Sequence, residues 1–290
     1  MENRLVIIKL GGSVITFKDK PLSANYKAIN NISKVLSKLE TPLIIVHGGG
    51  SYGHYWSVKW DMHTKPQKYN PHGISIVHSS MLTLNNIIID KLYKQGLNPY
   101  GISPFAFLIK GIPNSNKILE LKKMAEHNII PVTYGDAVYI KNNKYSILSG
   151  DILMTILSKI LNPSKIIFAL NVDGLYNNMR DKKIIKEIKF ENDETSKKKP
   201  TKINLTNNVN IDDVTGGIKR KVEEASKIAE SGQDVIFING IETKKRTNVD
   251  ASRRMIGAYN VITFLFVFIF YKTIYLFIFR HVIINNIKQH

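Results

Sequence analysis

The chain has 290 residues, 43% of them hydrophobic, enough to bury a proper core in one large or two small α/β units. It carries no cysteine, which excludes disulfides and thiolate metal sites. Its 41 Lys and Arg against 23 Asp and Glu give a formal net charge of +18; the basic residues are spread along the whole chain, so a solvated surface that attracts phosphorylated small molecules is the simpler reading, and no nucleic-acid partner is expected.

The N-terminus, Met1-Glu2-Asn3-Arg4, leads straight into the apolar strand Leu5 to Leu10. With no long apolar h-region ahead of it, a cleaved signal peptide is not expected, and the chain reads as cytoplasmic. The strand carries one lysine, Lys9, and is followed by Gly11-Gly12-Ser13 and then by Lys18. A lysine at a strand end beside a glycine turn can neutralise a phosphoryl group in transit, and two could hold it from both sides. The spacing is neither a Walker A loop nor GxGxxG. Pro42 to Val46 reads as a second buried strand, and His47-Gly48-Gly49-Gly50-Ser51-Tyr52-Gly53-His54 follows it. Three glycines at the C-terminal end of a strand let backbone N–H groups approach an anion, in the place where open α/β sheets bind ligands. His54 adds an imidazole that can pair with a charged oxygen, or is a solvated turn residue. His47, at the strand end, reads as a hydrogen-bonded structural residue rather than a metal ligand.

Farther along, Ile74 to Lys94 carries Ile74, Val77, Met81, Leu84, Ile88 and Leu92 at helical spacing, with Gly96 as a stop signal. Ile129 to Thr133, Ile166 to Leu170 and Val235 to Ile238 look like further central strands, so strands and helices alternate as in a parallel sheet. Leu148-Ser149-Gly150-Asp151 and Asn171 to Tyr176 (NVDGLY) lie among them. Residues 191–212 are polar and read as an exposed loop or hairpin. Asp213 to Lys221 (DVTGGIKRK) opens a strong helix former, where Asp213 and Thr215 can cap and aligned N–H groups favour anions. Val261 to Phe279 is apolar and aromatic, broken by Lys272 and two threonines. It is long enough to span a bilayer as a helix, it also fits a last strand with an apolar extension that packs on the surface or a second copy, and it fits an unpacked tail from an altered reading frame; all three stay open, including membrane contact through 261–279.

The ordered set KLGGSVIT with Lys18, HGGGSYGH, LSGD, NVDGLY and DVTGGIKRK resembles the amino acid kinase superfamily, and within it the isopentenyl phosphate kinases, over about residues 4–240. The resemblance implies a three-layer αβα sandwich around a central, mainly parallel sheet. Residues 1–165 would be the acceptor-substrate half, 166–260 the nucleotide-binding half and 261–290 an atypical apolar tail, since kinases of this kind usually end in a glycine-threonine turn and a last strand. It implies ATP as phosphoryl donor, Mg2+ carried by the nucleotide rather than by a protein-built cage, a small-molecule phosphate as acceptor, and a homodimer. Lys9, Gly11, Gly12 and Ser13 would meet the ATP phosphates, with Gly50 shared toward them, Asp173 near the nucleotide, and Gly217 and Lys221 gripping its phosphates. Lys18 would stabilise the transferring group, Gly49 and His54 would hold the acceptor phosphate, Gly150 would close on it, and Asp151 would orient the lysines. The expected reaction takes isopentenyl phosphate to isopentenyl diphosphate and ADP, in isoprenoid biosynthesis. The alternatives are a same-fold kinase acting on a phosphonate such as fosfomycin, and a membrane-tethered nucleotide-binding protein without turnover.

Overall fold

Apolar strands alternating with amphipathic helices fold here into one layered unit, which a computed structural model describes over residues 4–62, 67–175, 184–185, 218–241 and 258–260. In chain order the elements are β1 (Val6–Leu10), α1 (Gly12–Ile15), α2 (Tyr26–Leu36), β2 (Leu43–His47), α3 (Gly50–Lys59), α4 (Pro71–Tyr93) and β3 (Pro99–Gly101). A 3-10 turn at Pro104–Ala106 leads to β4 (Leu108–Ile109), β5 (Ile112–Pro113), α5 (Ser115–Glu126), β6 (Ile130–Tyr134), β7 (Asp136–Tyr139), β8 (Tyr145–Leu148), α6 (Gly150–Leu161) and β9 (Lys165–Leu170). Last come α7 (Ile218–Ala229), β10 (Val235–Asn239) and β11 (Ala258–Asn260). The main sheet has the order β11-β10-β9-β1-β2-β6-β3, and every pairing in it is parallel. β4–β5 and β7–β8 are separate antiparallel hairpins.

Side-chain alternation along the strands builds the three layers. In β1 and the residue before it, Leu5 and Ile7 pack into a core shared with α5, α6 and α7, while Val6, Ile8 and Leu10 pack into a second core shared with α1, α2 and α4. Lys9 follows Leu5 and Ile7 in this period and so faces the α6 side. A parallel sheet covered on both faces explains why strands such as Ile44-Ile45-Val46 are apolar throughout instead of alternating with polar residues.

The helix expected from Ile74 starts three residues earlier, at Pro71, because Asn70 caps it with a side-chain oxygen that accepts from His72 N–H at 2.8 Å and proline is well suited to the first turn. Val77, Met81, Leu84, Ile88 and Leu92 of its apolar stripe are buried. The boundary expected between residues 165 and 166 falls at the start of β9, which pairs along its length with β1, so one sheet runs through both halves. Ala258–Asn260 forms an outer strand parallel to β10, earlier than the tail in which the sequence allowed a last strand. The polar segment 191–212 and the tail 261–290 lie outside the described residues. Among the described residues, no helix is long and apolar enough to cross a membrane.

Candidate active site

Parallel register brings the C-terminal ends of β1, β2, β6, β9 and β10 to one edge of the sheet, where Leu10 stands beside both His47 and Ala169. The glycine turns after β1 and β2 open there side by side, joined by a hydrogen bond from Gly48 N–H to the Leu10 carbonyl at 3.0 Å. Strand alternation sends Lys9 to the α6 face, and Asp151 in the first turn of α6 meets it: Lys9 Nζ lies 3.0 Å from Asp151 Oδ1. The contact is an ion pair rather than an aligned hydrogen bond, and both side chains are nearly shielded from solvent, Lys9 being 3% exposed as a residue. Phe168 lies beneath the ammonium, with its ring centroid 5.9 Å away. Gly150 closes over the lysine stem so tightly that a Cβ would sit 3.1 Å from Lys9 Cε and 3.1 Å from the His47 carbonyl oxygen.

The second turn is built around Gly50. Its φ of +49° is left-handed, and a Cβ would stand 2.6 Å from the Gly12 carbonyl oxygen. Thr16 ties the two turns together: its hydroxyl donates to the Gly12 carbonyl at 2.7 Å and accepts from Ser51 N–H at 2.9 Å. That contact satisfies one of the first N–H groups of α3. Those of α6 are capped in part by Ser149, whose hydroxyl accepts from Ile152 N–H at 3.2 Å. The N-terminus of α6 thus abuts Lys9 and that of α3 abuts the Gly12 turn, and helix N-termini favour anions. His54 lies exposed in the second turn of α3. Lys18 is exposed in the turn that follows the Thr16–Ala24 bridge.

Toward the second half of the chain, Ser13 donates to Asn171 Oδ1 at 3.0 Å, drawing the β1 turn onto the end of β9. Asp173 accepts from the Asn239 side chain at 2.9 Å, which links that turn to the end of β10. Lys221 sits partly buried in the first turn of α7. Gly217 and the capping residues before it lie outside the described residues. The structure therefore brings Lys9, Gly11, Gly12, Ser13, Gly49, Gly50, Gly150 and Asp151 to one place. Asp173 lies on the adjoining turn.

His47 is fully buried, its ring nitrogens 3.2 Å from the Gly48 carbonyl and 3.2 Å from Asn85 Oδ1, and it stacks on Tyr134 at 5.3 Å. Burial pushes its pKa down to about 4, so it is neutral near pH 7 and braces the β2 end. Tyr134, pushed up to about 12 chiefly by burial, likewise stays un-ionised. Asp151 is engaged by Lys9 and Asp173 by Asn239, and among the described residues no three His, Asp or Glu side chains cluster to hold a metal ion.

Sequence reasoning missed Thr16, Asn171 as the partner of Ser13, and Asn239. Thr16 had a signal, a hydroxyl four residues after Gly12; the two asparagines had only their place at strand ends. Ile74 and Val77 of the expected apolar stripe join a third cluster with Met62 and Tyr69, against which Trp56 and Ile147 also pack between α3, α4 and the β7–β8 hairpin.

The family profile described as Amino acid kinase family matches residues 4–239. An isopentenyl phosphate kinase of Thermoplasma acidophilum is 34% identical over 241 residues, 81% of this chain and 92% of that protein. One from Methanocaldococcus jannaschii is 32% identical over 235 residues, 77% of this chain and 87% of that protein. The crystal structure of the T. acidophilum isopentenyl phosphate kinase product complex superposes with a TM-score of 0.64 at 31% identity, covering 82% of this chain and 92% of that one.

Proposed function

Because the chain belongs to the amino acid kinase family, we propose that it transfers the γ-phosphoryl group of ATP to isopentenyl phosphate, giving isopentenyl diphosphate and ADP. The observation that carries this reading is the meeting of the two glycine turns, Gly12 against Gly50, at the strand end where the α6 N-terminus closes on Lys9 and its counter-ion Asp151. Relatives that bear the name isopentenyl phosphate kinase support the choice of acceptor.

Residues 1–165 supply the acceptor side and residues 166–260 the nucleotide side. Gly49 and His54 hold the acceptor phosphate and Gly150 closes on it, while Lys9, Gly11, Gly12, Ser13 and Gly50 meet the ATP phosphates with Asp173, Gly217 and Lys221. An acceptor oxygen attacks the γ-phosphorus in line as the bond to the ADP oxygen breaks, and Lys9 and Lys18 offset the charge that shifts between them. An acceptor monoester is largely dianionic near neutral pH, so no general base is required. Asp151 keeps the Lys9 ammonium aimed. Mg2+ would be carried in by the nucleotide, and among the described residues no three His, Asp or Glu side chains cluster to hold it. The exposed edge strand β3 and its neighbours Tyr100, Phe105, Ile109 and Ile112, each more than half exposed, support assembly as a homodimer.

The test is ADP release from Mg·ATP with isopentenyl phosphate, fosfomycin, uridylate and acetylglutamate offered separately, beside His54→Ala. Turnover with isopentenyl phosphate that falls by about 10²-fold or more in His54→Ala is expected. Preference for fosfomycin would move the acceptor to a phosphonate. ATP binding without turnover on any acceptor would overturn the kinase reading.

A further inference from the structure

One ion pair in the acceptor half has no part in the reaction as described above. Asp136, the first residue of β7, is 3% exposed, and both its carboxylate oxygens are engaged: Oδ1 accepts Ala137 N–H at 2.8 Å, and Oδ2 accepts from His78 Nδ1 at 2.6 Å. His78 belongs to α4, and its side chain is 41% exposed.

The two partners stand behind opposite sides of the acceptor site. Gly135, next to Asp136, turns beneath the start of α6, where a Cβ would lie 2.8 Å from the Leu148 carbonyl oxygen and 3.1 Å from Gly150 N. One turn after His78, Met81 places its sulfur 3.0 Å from the Cβ position of Gly49 and 3.1 Å from that of Gly53. Helix α4 thus backs the glycines that lead to His54, and through His78 it also grips the corner that supports Gly150. Elsewhere α4 is tied to α3 by Ser80, whose hydroxyl donates to the Tyr52 carbonyl at 3.0 Å.

We infer that His78 is a positioning residue for the acceptor: through its hydrogen bond to Asp136 it fixes the gap between the His54-bearing start of α3 and the Gly150 start of α6. The inference rests on the acceptor site as proposed above and adds the strut that sets its width. A charge-assisted hydrogen bond to a buried carboxylate suits this task, because it is short and directional. The hydrogen bond to the carboxylate raises the proton affinity of the imidazole against the opposing effect of partial burial. With the ring half in solvent, its replacement removes little packing, and the effect falls on geometry more than on core stability.

The experiment varies isopentenyl phosphate and ATP separately in steady-state assays of the full chain, for the unaltered protein, His78→Leu and His78→Asn. Leucine is expected to raise KM for isopentenyl phosphate by roughly tenfold or more while KM for ATP stays within about twofold. Asparagine keeps a donor for Asp136 and is expected to restore most of the acceptor KM. An unchanged acceptor KM in His78→Leu overturns the inference, as does a parallel rise of both constants that asparagine fails to relieve. An unaltered chain that ignores isopentenyl phosphate overturns the acceptor reading itself, and this inference with it.

Discussion

Lys9 is a charged side chain in the middle strand of the sheet, buried, with Asp151 as its counter-ion. Such a pair is a poor way to stabilise a core, since apolar residues of like volume often do as well or better. Its presence is in keeping with the phosphate-binding role proposed for Lys9. Lys9→Met leaves the Asp151 carboxylate buried and unpaired, and is expected to lower unfolding free energy by about 3–5 kcal/mol along with a loss of ADP release of about 10²-fold or more. The double change Lys9→Met with Asp151→Leu removes both charges. It should recover most of the stability in urea unfolding and none of the activity, and recovery of activity would dissociate the pair from the chemistry. The pattern of Leu5, Ile7 and Lys9 made this lysine legible in the sequence, because alternation alone puts all three on one face. The identity of the element across from it was not legible, since α6 lies about 140 residues downstream and only the fold brings it there.

At the scale of elements, the glycine turn after β2 is where local sequence and tertiary structure agree most closely. Gly50 has a positive φ and also a crowded Cβ position, whereas Gly96 has a positive φ of +77° with nothing within 4 Å. Gly96→Ala therefore registers backbone strain alone, on the order of 1–3 kcal/mol. Gly50→Ala adds the collision with the Gly12 carbonyl and should be the more destabilising of the two in thermal unfolding, with loss of turnover that Gly96→Ala does not show. Equal effects would mean that the approach of the two turns is unimportant. The strands, α4 and the glycine turns could be read directly, because period, caps and glycine runs are local signals. The β7–β8 hairpin and the Asp136–His78 bond could not, since a short hairpin on the rim carries little periodic signal and a contact across 58 residues leaves none. Thr16 shows the intermediate case: its spacing from Gly12 is local, but its link to Ser51 depends on two turns meeting.

For the molecule as a whole, the expected division into acceptor and nucleotide halves meets a single sheet that crosses it through the β1–β9 pairing. The halves differ by which strand ends they contribute. Assembly is a property at this same scale. If the exposed apolar rim near β3 is the contact between two copies, sedimentation of the unaltered chain will give a dimer, and Phe105→Glu with Ile112→Lys will give a monomer that still turns over. A monomeric unaltered chain would remove the homodimer and leave that rim unexplained. The pairing of β1 with β9 has one more consequence, in the order of synthesis. During synthesis β1 finds β2 within about 40 residues, but its other neighbour arrives only after Ser164, whose N–H bonds the Leu5 carbonyl at 2.8 Å across 159 positions. Pairings so distant in sequence slow folding and prolong the time for which a row of valine and isoleucine backbone stays open to other chains. The strand that carries Lys9 at its tip thus waits through 159 positions of synthesis with one edge open to misassembly.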